Sequence, residues 1–253
     1  MNERATSSAM PPRTSDPLCS TRPRKRDLPD MSGWNARVDT WEEVAATPAF
    51  HELARLVVSL AAPQRDDRVV DLGAGTGLLS LIVAPLVETV VAVDAAPAML
   101  ARLEQRAAAG GVTNVTPVLG DMRSLPLPDG SASLVISNYA FHHLGPAGKE
   151  IALSEARRIL VPGGRLVVCD MMFGLSLRAR DRRIVTEKLK LIASVGPAGF
   201  ARIARNGVRI LRGNWEQPAP PEQWERMLTA RHFIDPVVVA LEHEGGIATA
   251  RRP

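Results

Sequence analysis

Short apolar runs and longer stretches of helical periodicity alternate from Arg68 to Asp170. Val69, Val70 and Leu72 make the first run, and Leu78, Leu79, Leu81, Ile82 and Val83 open the first periodic stretch. A short apolar run bounded by turn residues reads as a buried strand, and apolar positions three and four apart read as one face of a helix. Strands are therefore predicted over Arg68–Leu72, Thr89–Asp94, Val115–Leu119, Ala132–Ser137 and Arg165–Asp170. Helices are predicted over Gly77–Leu86, Pro97–Ala109 and Lys149–Leu160, the last stopped by Pro162-Gly163-Gly164. Pro97 suits a first helical turn, where the N–H it lacks would find no partner anyway. Strands separated by helices through short connections imply a parallel sheet covered on both faces.

The flanks differ. Between Trp41 and Ala61 the apolar spacing predicts two short helices, interrupted at Pro48. After Met171 a long stretch without strands follows, with helices predicted over Leu175–Val195, Phe200–Leu211 and Glu222–Ala230. Pro236–Glu242 and Ile247–Arg252 then read as two final strands joined by a hairpin turn at Glu244-Gly245-Gly246. Residues 1–31 are rich in Pro, Arg, Ser and Thr and nearly free of bulky apolar side chains. Such a segment cannot bury enough surface to offset its ordering entropy, so it is expected to be a disordered leader. Residues 32–253 are expected to form one domain, with 172–221 as a helical lid over a substrate site.

Composition narrows the class. The 253 residues are 45% apolar and 23% charged, ordinary for a globular chain. A net charge of +4 and a pI near 9.6 admit an anionic substrate or nucleic acid as partner. Cys19 and Cys169 stand far apart, which excludes a disulfide framework and a thiolate metal site. No apolar run is long enough to cross a bilayer, and no apolar stretch follows the N-terminal arginines. The expected setting is cytoplasmic, without a membrane partner, as a monomer or homodimer.

The chemistry centres on Asp71-Leu72-Gly73-Ala74-Gly75-Thr76-Gly77, between the first strand and its helix. Glycines at such a turn allow positive φ and close approach of a ligand to the main chain. The helix start that follows favours an anionic group. A dinucleotide fingerprint needs a small residue where Leu78 stands, and Asp71 would repel a pyrophosphate. Asp71 suits instead an ammonium group, reached directly or through a water. A ligand with both an ammonium and a carboxylate, such as the methionyl part of S-adenosylmethionine, meets both conditions. Asp94, ending the second strand, is placed to accept from two ribose hydroxyls. Asp121, ending the third, is placed to accept from an adenine amino group, with Met122 against the ring.

These residues, together with Gly120-Asp121-Met122, Leu125-Pro126-Leu127-Pro128-Asp129, Leu134–Leu144 and Leu160-Val161-Pro162-Gly163-Gly164-Arg165-Leu166, resemble class I S-adenosylmethionine-dependent methyltransferases of the ubiquinone/menaquinone-biosynthesis type. The resemblance covers roughly residues 65–171. It implies an α/β, Rossmann-like, seven-stranded doubly wound sheet with an antiparallel last strand, to which the apolar spacing adds N-terminal helices and a helical insertion after strand five, where the sequence departs from a minimal family member. It also implies a cofactor set of Asp71, Gly73, Gly75, Gly77, Asp94, Ala95, Met99, Asp121, Met122 and Asn138, with S-adenosyl-L-methionine as the cofactor.

Methyl transfer from a sulfonium needs alignment and exclusion of water, and needs a base only where the acceptor must lose a proton. Tyr139, His142 and His143, after strand four, are the catalytic candidates; the alternative is that the histidines only fix their loop. No metal is expected, because no His/Asp/Glu cluster has ligand spacing. Ten basic residues between Arg178 and Arg212 face only Asp181 and Glu187. Turned inward they would recognise an anionic acceptor, and turned outward RNA phosphates, with a solvated helix face as the plain alternative. At 4% aromatic the chain has few stacking platforms for RNA. Trp34, Trp41, Phe173, Phe200, Trp215 and Trp224 are candidates for an apolar acceptor wall or for plain core packing. The expected function is methylation of a small organic molecule on O, N or C. An RNA-modifying methyltransferase and a non-catalytic cofactor-binding partner protein stand as alternatives.

Overall fold

Alternate residues of each central strand face opposite sides of the sheet, and both sides are apolar. In a computed structural model describing residues 32–174, 178–193 and 217–253, Val70, Leu72, Val91, Val93, Val135, Leu166 and Val168 pack into one core. Their neighbours Val69, Val90, Leu134, Ile136, Val167 and Cys169 pack into another. Burial on both faces explains why these strands read as continuous apolar runs rather than as an alternation.

The strands are β1 (Arg68–Leu72), β2 (Thr89–Asp94), β3 (Val115–Leu119), β4 (Ala132–Asn138), β5 (Leu160–Met171), β6 (Ile234–Ala240) and β7 (Gly245–Arg251). They form one sheet in the order β3-β2-β1-β4-β5-β7-β6. The first five are parallel, while β7 runs antiparallel to both β5 and β6. The chain winds outward from β1 through β2 to β3, then crosses back to place β4 on the other flank of β1. That reversal leaves a crevice at the carboxyl ends of the strands, where open α/β sheets bind ligands.

Helices α1 (Ser32–Asn35), α2 (Val38–Ala45) and α3 (Pro48–Ala61) precede the sheet, and α4 (Leu78–Val83), α5 (Pro97–Ala109) and α6 (Pro146–Ile159) connect its parallel strands. Later come α7 (Ala179–Ala193) and α8 (Pro221–Ala230). The core containing Leu153, Ala156 and Ile159 of α6 also takes Trp224, Met227 and Leu228 of α8. The opposite core takes Ala54 and Val57 of α3 with Leu79 and Val83 of α4.

Several predicted bounds shift. Helix α6 starts three residues before Lys149, because Pro146 occupies its first turn and Gly145 supplies the extended residue ahead of it. Pro162-Gly163-Gly164 does not separate helix from strand: β5 begins at Leu160, directly after α6. Gly163 (φ +76°) lies within that strand, beside a register shift opposite Ala132 and Leu134. Gly245 and Gly246 belong to β7 rather than to the hairpin turn. The leader 1–31, the helix predicted over Phe200–Leu211, and most of the proposed lid lie outside the described residues. Among the described residues no helix is long and apolar enough to cross a membrane.

Candidate active site

The glycine turn is fixed to the strand beside it before any ligand is considered. Gly73 and Ala74 donate their N–H groups to the Val93 carbonyl at 2.8 and 3.0 Å. Gly75 N–H donates to Asp94 Oδ2 at 2.8 Å, and Ala96 N–H to Asp94 Oδ1 at 2.8 Å. One carboxylate thus holds the turn and the start of α5 together. Burial raises the Asp94 pKa, and these main-chain N–H groups oppose the rise. From α5, Arg106 donates to the Thr76 carbonyl at 2.9 Å and closes the far side of the turn.

Positive φ at Gly73 (+72°), Gly75 (+55°) and Gly77 (+85°) is required by this path. Close approach adds a second requirement at Gly73, where a Cβ would lie 2.3 Å from the Ala140 Cβ. At Gly75 the indole of Trp41, on α2, comes within 3.1 Å of where a Cβ would stand. Trp41 roofs the turn.

A cavity of about 370 Å³ opens here, at the carboxyl ends of β1 to β4. Of the predicted cofactor set, Gly73, Gly75, Asp94, Ala95, Met99, Asp121 and Met122 line it. Asp71, Gly77 and Asn138 do not. Asp71 lies under the turn, 1% exposed, and accepts from Ser80 Oγ at 2.6 Å. Gly77 faces Leu103 of α5. Asn138 ends β4 with a buried Oδ1 that has no partner.

Burial, opposed by the Ser80 hydroxyl and aided by the Asp94 charge, lifts the Asp71 pKa to about 7. A carboxyl raised on folding holds its proton longer in the folded state than in the unfolded one. Its contribution to stability is therefore complete below pH 4 and is lost as the pH rises through 7. Between about pH 5 and pH 8 the wild type should lose roughly 2–3 kcal/mol more stability than Asp71→Asn. Urea unfolding of both proteins at the two pH values measures this, and parallel losses would refute the assignment.

Tyr139, His142 and His143 follow β4, and the structure separates their roles. Tyr139 (φ +54°) and His143 line the cavity. His142 is turned inward, with Nδ1 2.6 Å from Asp170 Oδ1 and its main-chain N–H donating to Asp170 Oδ2 at 2.8 Å. Met171 N–H also donates to Asp170 Oδ1, at 2.6 Å. Asp170 therefore anchors the loop through His142, and the rings of His142 and His143 lie with centroids 3.9 Å apart. Loss of solvent in the cavity wall, then the nearby His142, Lys149 and Arg37, push the His143 pKa down to about 3. More than a third of His143 remains accessible, so the water it loses is that of a cavity wall and not of a core. The ring is neutral at physiological pH and a weak base. Burial followed by the nearby Cys169 and Asp170 raises the Tyr139 pKa, keeping its phenol protonated.

Lys149 completes the anchor. Its buried Nζ donates to the Leu144 carbonyl and, at 2.5 Å, to the Gln217 carbonyl, while Gln217 N–H donates to the His142 carbonyl at 2.7 Å. Burial lowers the Lys149 pKa to about 8, against the pull of Asp170.

Sequence reasoning missed Arg123, Lys149 and Asp170 as parts of this site, and named Trp41 for an acceptor wall rather than as the cover of the glycine turn. For Asp170 the signal existed: it is an acid near the end of a parallel strand, like Asp94. Trp41 and Lys149 reach the site only through tertiary packing. Of the acceptor-wall candidates Trp41 lines the cavity, whereas Phe173 and Trp224 are core residues. Three of the described arginines of the basic segment are engaged elsewhere. Arg178 pairs with Glu222, Arg180 donates to the carbonyls of Met172, Leu241, His243 and Gly245, and Arg183 donates to that of Glu242. Among the described residues no three His, Cys, Asp or Glu side chains group as metal ligands would.

Residues 69–164 match a family model described as a methyltransferase domain. The chain is 39% identical over 140 residues to a demethylmenaquinone methyltransferase of Thermus thermophilus, covering 52% of this chain and 62% of that protein. It is 33% identical over 184 residues to an uncharacterized methyltransferase of Mycobacterium tuberculosis, covering 68% and 64%. The chain thus spans less than two thirds of the length of either relative. In fold it is similar to a phosphoethanolamine N-methyltransferase of Haemonchus contortus, with a TM-score of 0.67, 16% identity, and coverage of 91% of this chain and 60% of the other. The stretch holding the glycine turn, Asp94, Asp121 and the histidine loop is therefore a methyltransferase domain of the class I, S-adenosylmethionine-dependent type, similar to that of the demethylmenaquinone methyltransferase.

Proposed function

We propose that this protein transfers a methyl group from S-adenosylmethionine to a small organic acceptor, at oxygen, nitrogen or an activated carbon. The observation that carries the reading is a single cavity that gathers Gly73 and Gly75, Asp94, and Asp121 with Met122 from three successive strand ends. The set fits the cofactor's chemistry. Bare main chain at Gly73 and Gly75 suits the methionyl part. The Asp94 carboxylate, already held by two N–H groups, keeps lone pairs for ribose hydroxyls. The cofactor supplies an electrophilic methyl on a positively charged sulfur. The chain's own residues bind, orient and exclude water: Trp41 covers the turn, and the Asp170–His142 pair with Lys149 fixes the loop that carries Tyr139 and His143.

A neutral His143 and a protonated Tyr139 are suited to hydrogen-bonding and orienting an acceptor rather than to taking its proton. This favours acceptors that need little deprotonation. The family resemblance and the demethylmenaquinone methyltransferase relative support a small-molecule acceptor over RNA. So does the use of Arg180, whose guanidinium is taken up by the carbonyls of Met172, Leu241, His243 and Gly245.

Binding of S-adenosylhomocysteine, measured by calorimetry, tests the cofactor half of the reading. The wild type should bind in the micromolar range or tighter, and Asp94→Asn should bind about 30-fold more weakly, roughly 2 kcal/mol. Transfer of labelled methyl to a panel of phenols, amines and quinols tests the other half. A wild type that does not bind S-adenosylhomocysteine would overturn the function as a whole.

A further inference from the structure

Asp121 follows β3, Arg123 stands two residues later, and both line the cavity. The Arg123 guanidinium makes a fork on the Asp121 carboxylate. Nε donates to Oδ1 and Oδ2 at 3.0 Å each, and Nη2 donates to Oδ2 at 2.5 Å. The main-chain N–H of Arg123 adds a further bond to Oδ1 at 2.8 Å. A carboxylate offers about four lone-pair positions. The fork takes the two that face each other and the main-chain N–H takes a third. One position remains, on Oδ2. Half-burial raises the Asp121 pKa, but the Arg123 hydrogen bonds and charge outweigh it and hold the carboxyl below its usual range. Asp121 is therefore charged, accepts only, and has room for one N–H.

We propose that Arg123 is a positioning residue for base selection: by fixing Asp121 as an acceptor with one open position, it admits a purine with an exocyclic amino group and rejects one with a carbonyl there. The proposal rests on the reading that an adenosyl cofactor fills the cavity with its base at Asp121. An amino N–H meets the open Oδ2 position. A carbonyl sets two oxygens face to face with no proton between them, and a site built for a hydrogen bond rejects the analogue that cannot make it. Without the fork, the carboxyl can turn and take up a proton more easily, and its acid form then donates to the carbonyl. The charged and titratable groups sharing this cavity are Arg123 on the same turn, Asp94 at the end of β2, and Tyr139 and His143 after β4. The Arg123 side chain is 42% exposed, so its replacement leaves no hole in the core.

S-adenosylhomocysteine and S-inosylhomocysteine differ at that one substituent. Calorimetry with the full chain would compare them in wild type and Arg123→Gln at about pH 7.5 and about pH 5.5. The wild type should prefer the adenosyl ligand by about 100-fold at both pH values. Arg123→Gln should prefer it by about 10-fold or less, and by less still at the lower pH, because inosyl binding strengthens as the freed carboxyl protonates. A purely structural role for Arg123 would weaken both ligands together. An unchanged ratio in Arg123→Gln would therefore overturn the proposal while leaving the cofactor reading intact. A wild type that binds neither ligand would overturn the cofactor reading, and this proposal with it.

Discussion

Gly73→Ala is expected to lower affinity for S-adenosylhomocysteine by about 100-fold or more, close to 3 kcal/mol. A left-handed backbone costs an alanine about 1–2 kcal/mol relative to glycine. The larger penalty is steric, because the new methyl would stand 2.3 Å from the Ala140 Cβ. Neither side can yield freely. The Gly73 and Ala74 N–H groups bind the Val93 carbonyl, and the loop of Ala140 is held by Asp170 and Lys149. Whichever moves, the cavity floor or the wall carrying Tyr139 and His143 is displaced. Gly111→Ala is the control: φ there is +66°, and nothing lies within 4 Å of the added methyl. It should cost about 1 kcal/mol of stability and leave affinity unchanged. Equal affinities for Gly73→Ala and wild type would remove the turn from the binding site.

Asp170→Ala is expected to destabilise the fold by about 3 kcal/mol or more, because it leaves buried donors without their acceptor at about 1–3 kcal/mol each. Three donors lose their acceptor together: His142 N–H, His142 Nδ1 and Met171 N–H. At 1% exposure of Asp170, water cannot replace it without opening the loop. Methyl transfer should therefore fall more steeply than stability alone explains, since the loop carries Tyr139 and His143 into the cavity. His142→Ala added to Asp170→Ala should cost little more, because the two act as a unit. Urea unfolding of both single variants and the double variant reads this out. Additive losses, or a single loss below about 1 kcal/mol, would show that the pair does not anchor the loop.

The central strands of the parallel half were legible because burial on both faces writes them as short apolar runs, and the edge strand β3 was legible from its β-branched residues between turn signals. Arg68–Leu72, Thr89–Asp94 and Val115–Leu119 were readable to the residue. The cavity lining was legible for a related reason: strand ends place side chains at a fixed crevice, so Asp94 and Asp121 could be placed there by position. The same logic does not reach Asp71, which lies within the strand, is buried on Ser80 and is not in the cavity lining. The histidine pair was visible, but its division of labour was not. Adjacent residues in a 3-10 turn (Phe141–His143) point in different directions, and only the Asp170 carboxylate decides which one is buried. Arg123 was unreadable because its partner is two residues away and its effect is exerted through that partner's lone pairs.

The roof over the glycine turn has foundations of its own. Val38, Ala96 and Met99, with Trp41 and Ala98 against them, form a cluster separate from the two cores beside the sheet. Arg102 on α5 reaches across to Asp39 and Glu42 on α2, and Asn35 accepts from Ala98 N–H at 3.2 Å. The floor of the cavity is thus continuous with the interior of the protein, while its cover packs both on this small cluster and, through Trp41 against Phe50, on the core beside the sheet, and is tied to α5 partly by exposed charges that salt screens. Floor and cover therefore differ in mechanical character. The floor keeps its geometry through the sheet, and the cover keeps its place partly through ion pairs whose strength depends on the surrounding salt.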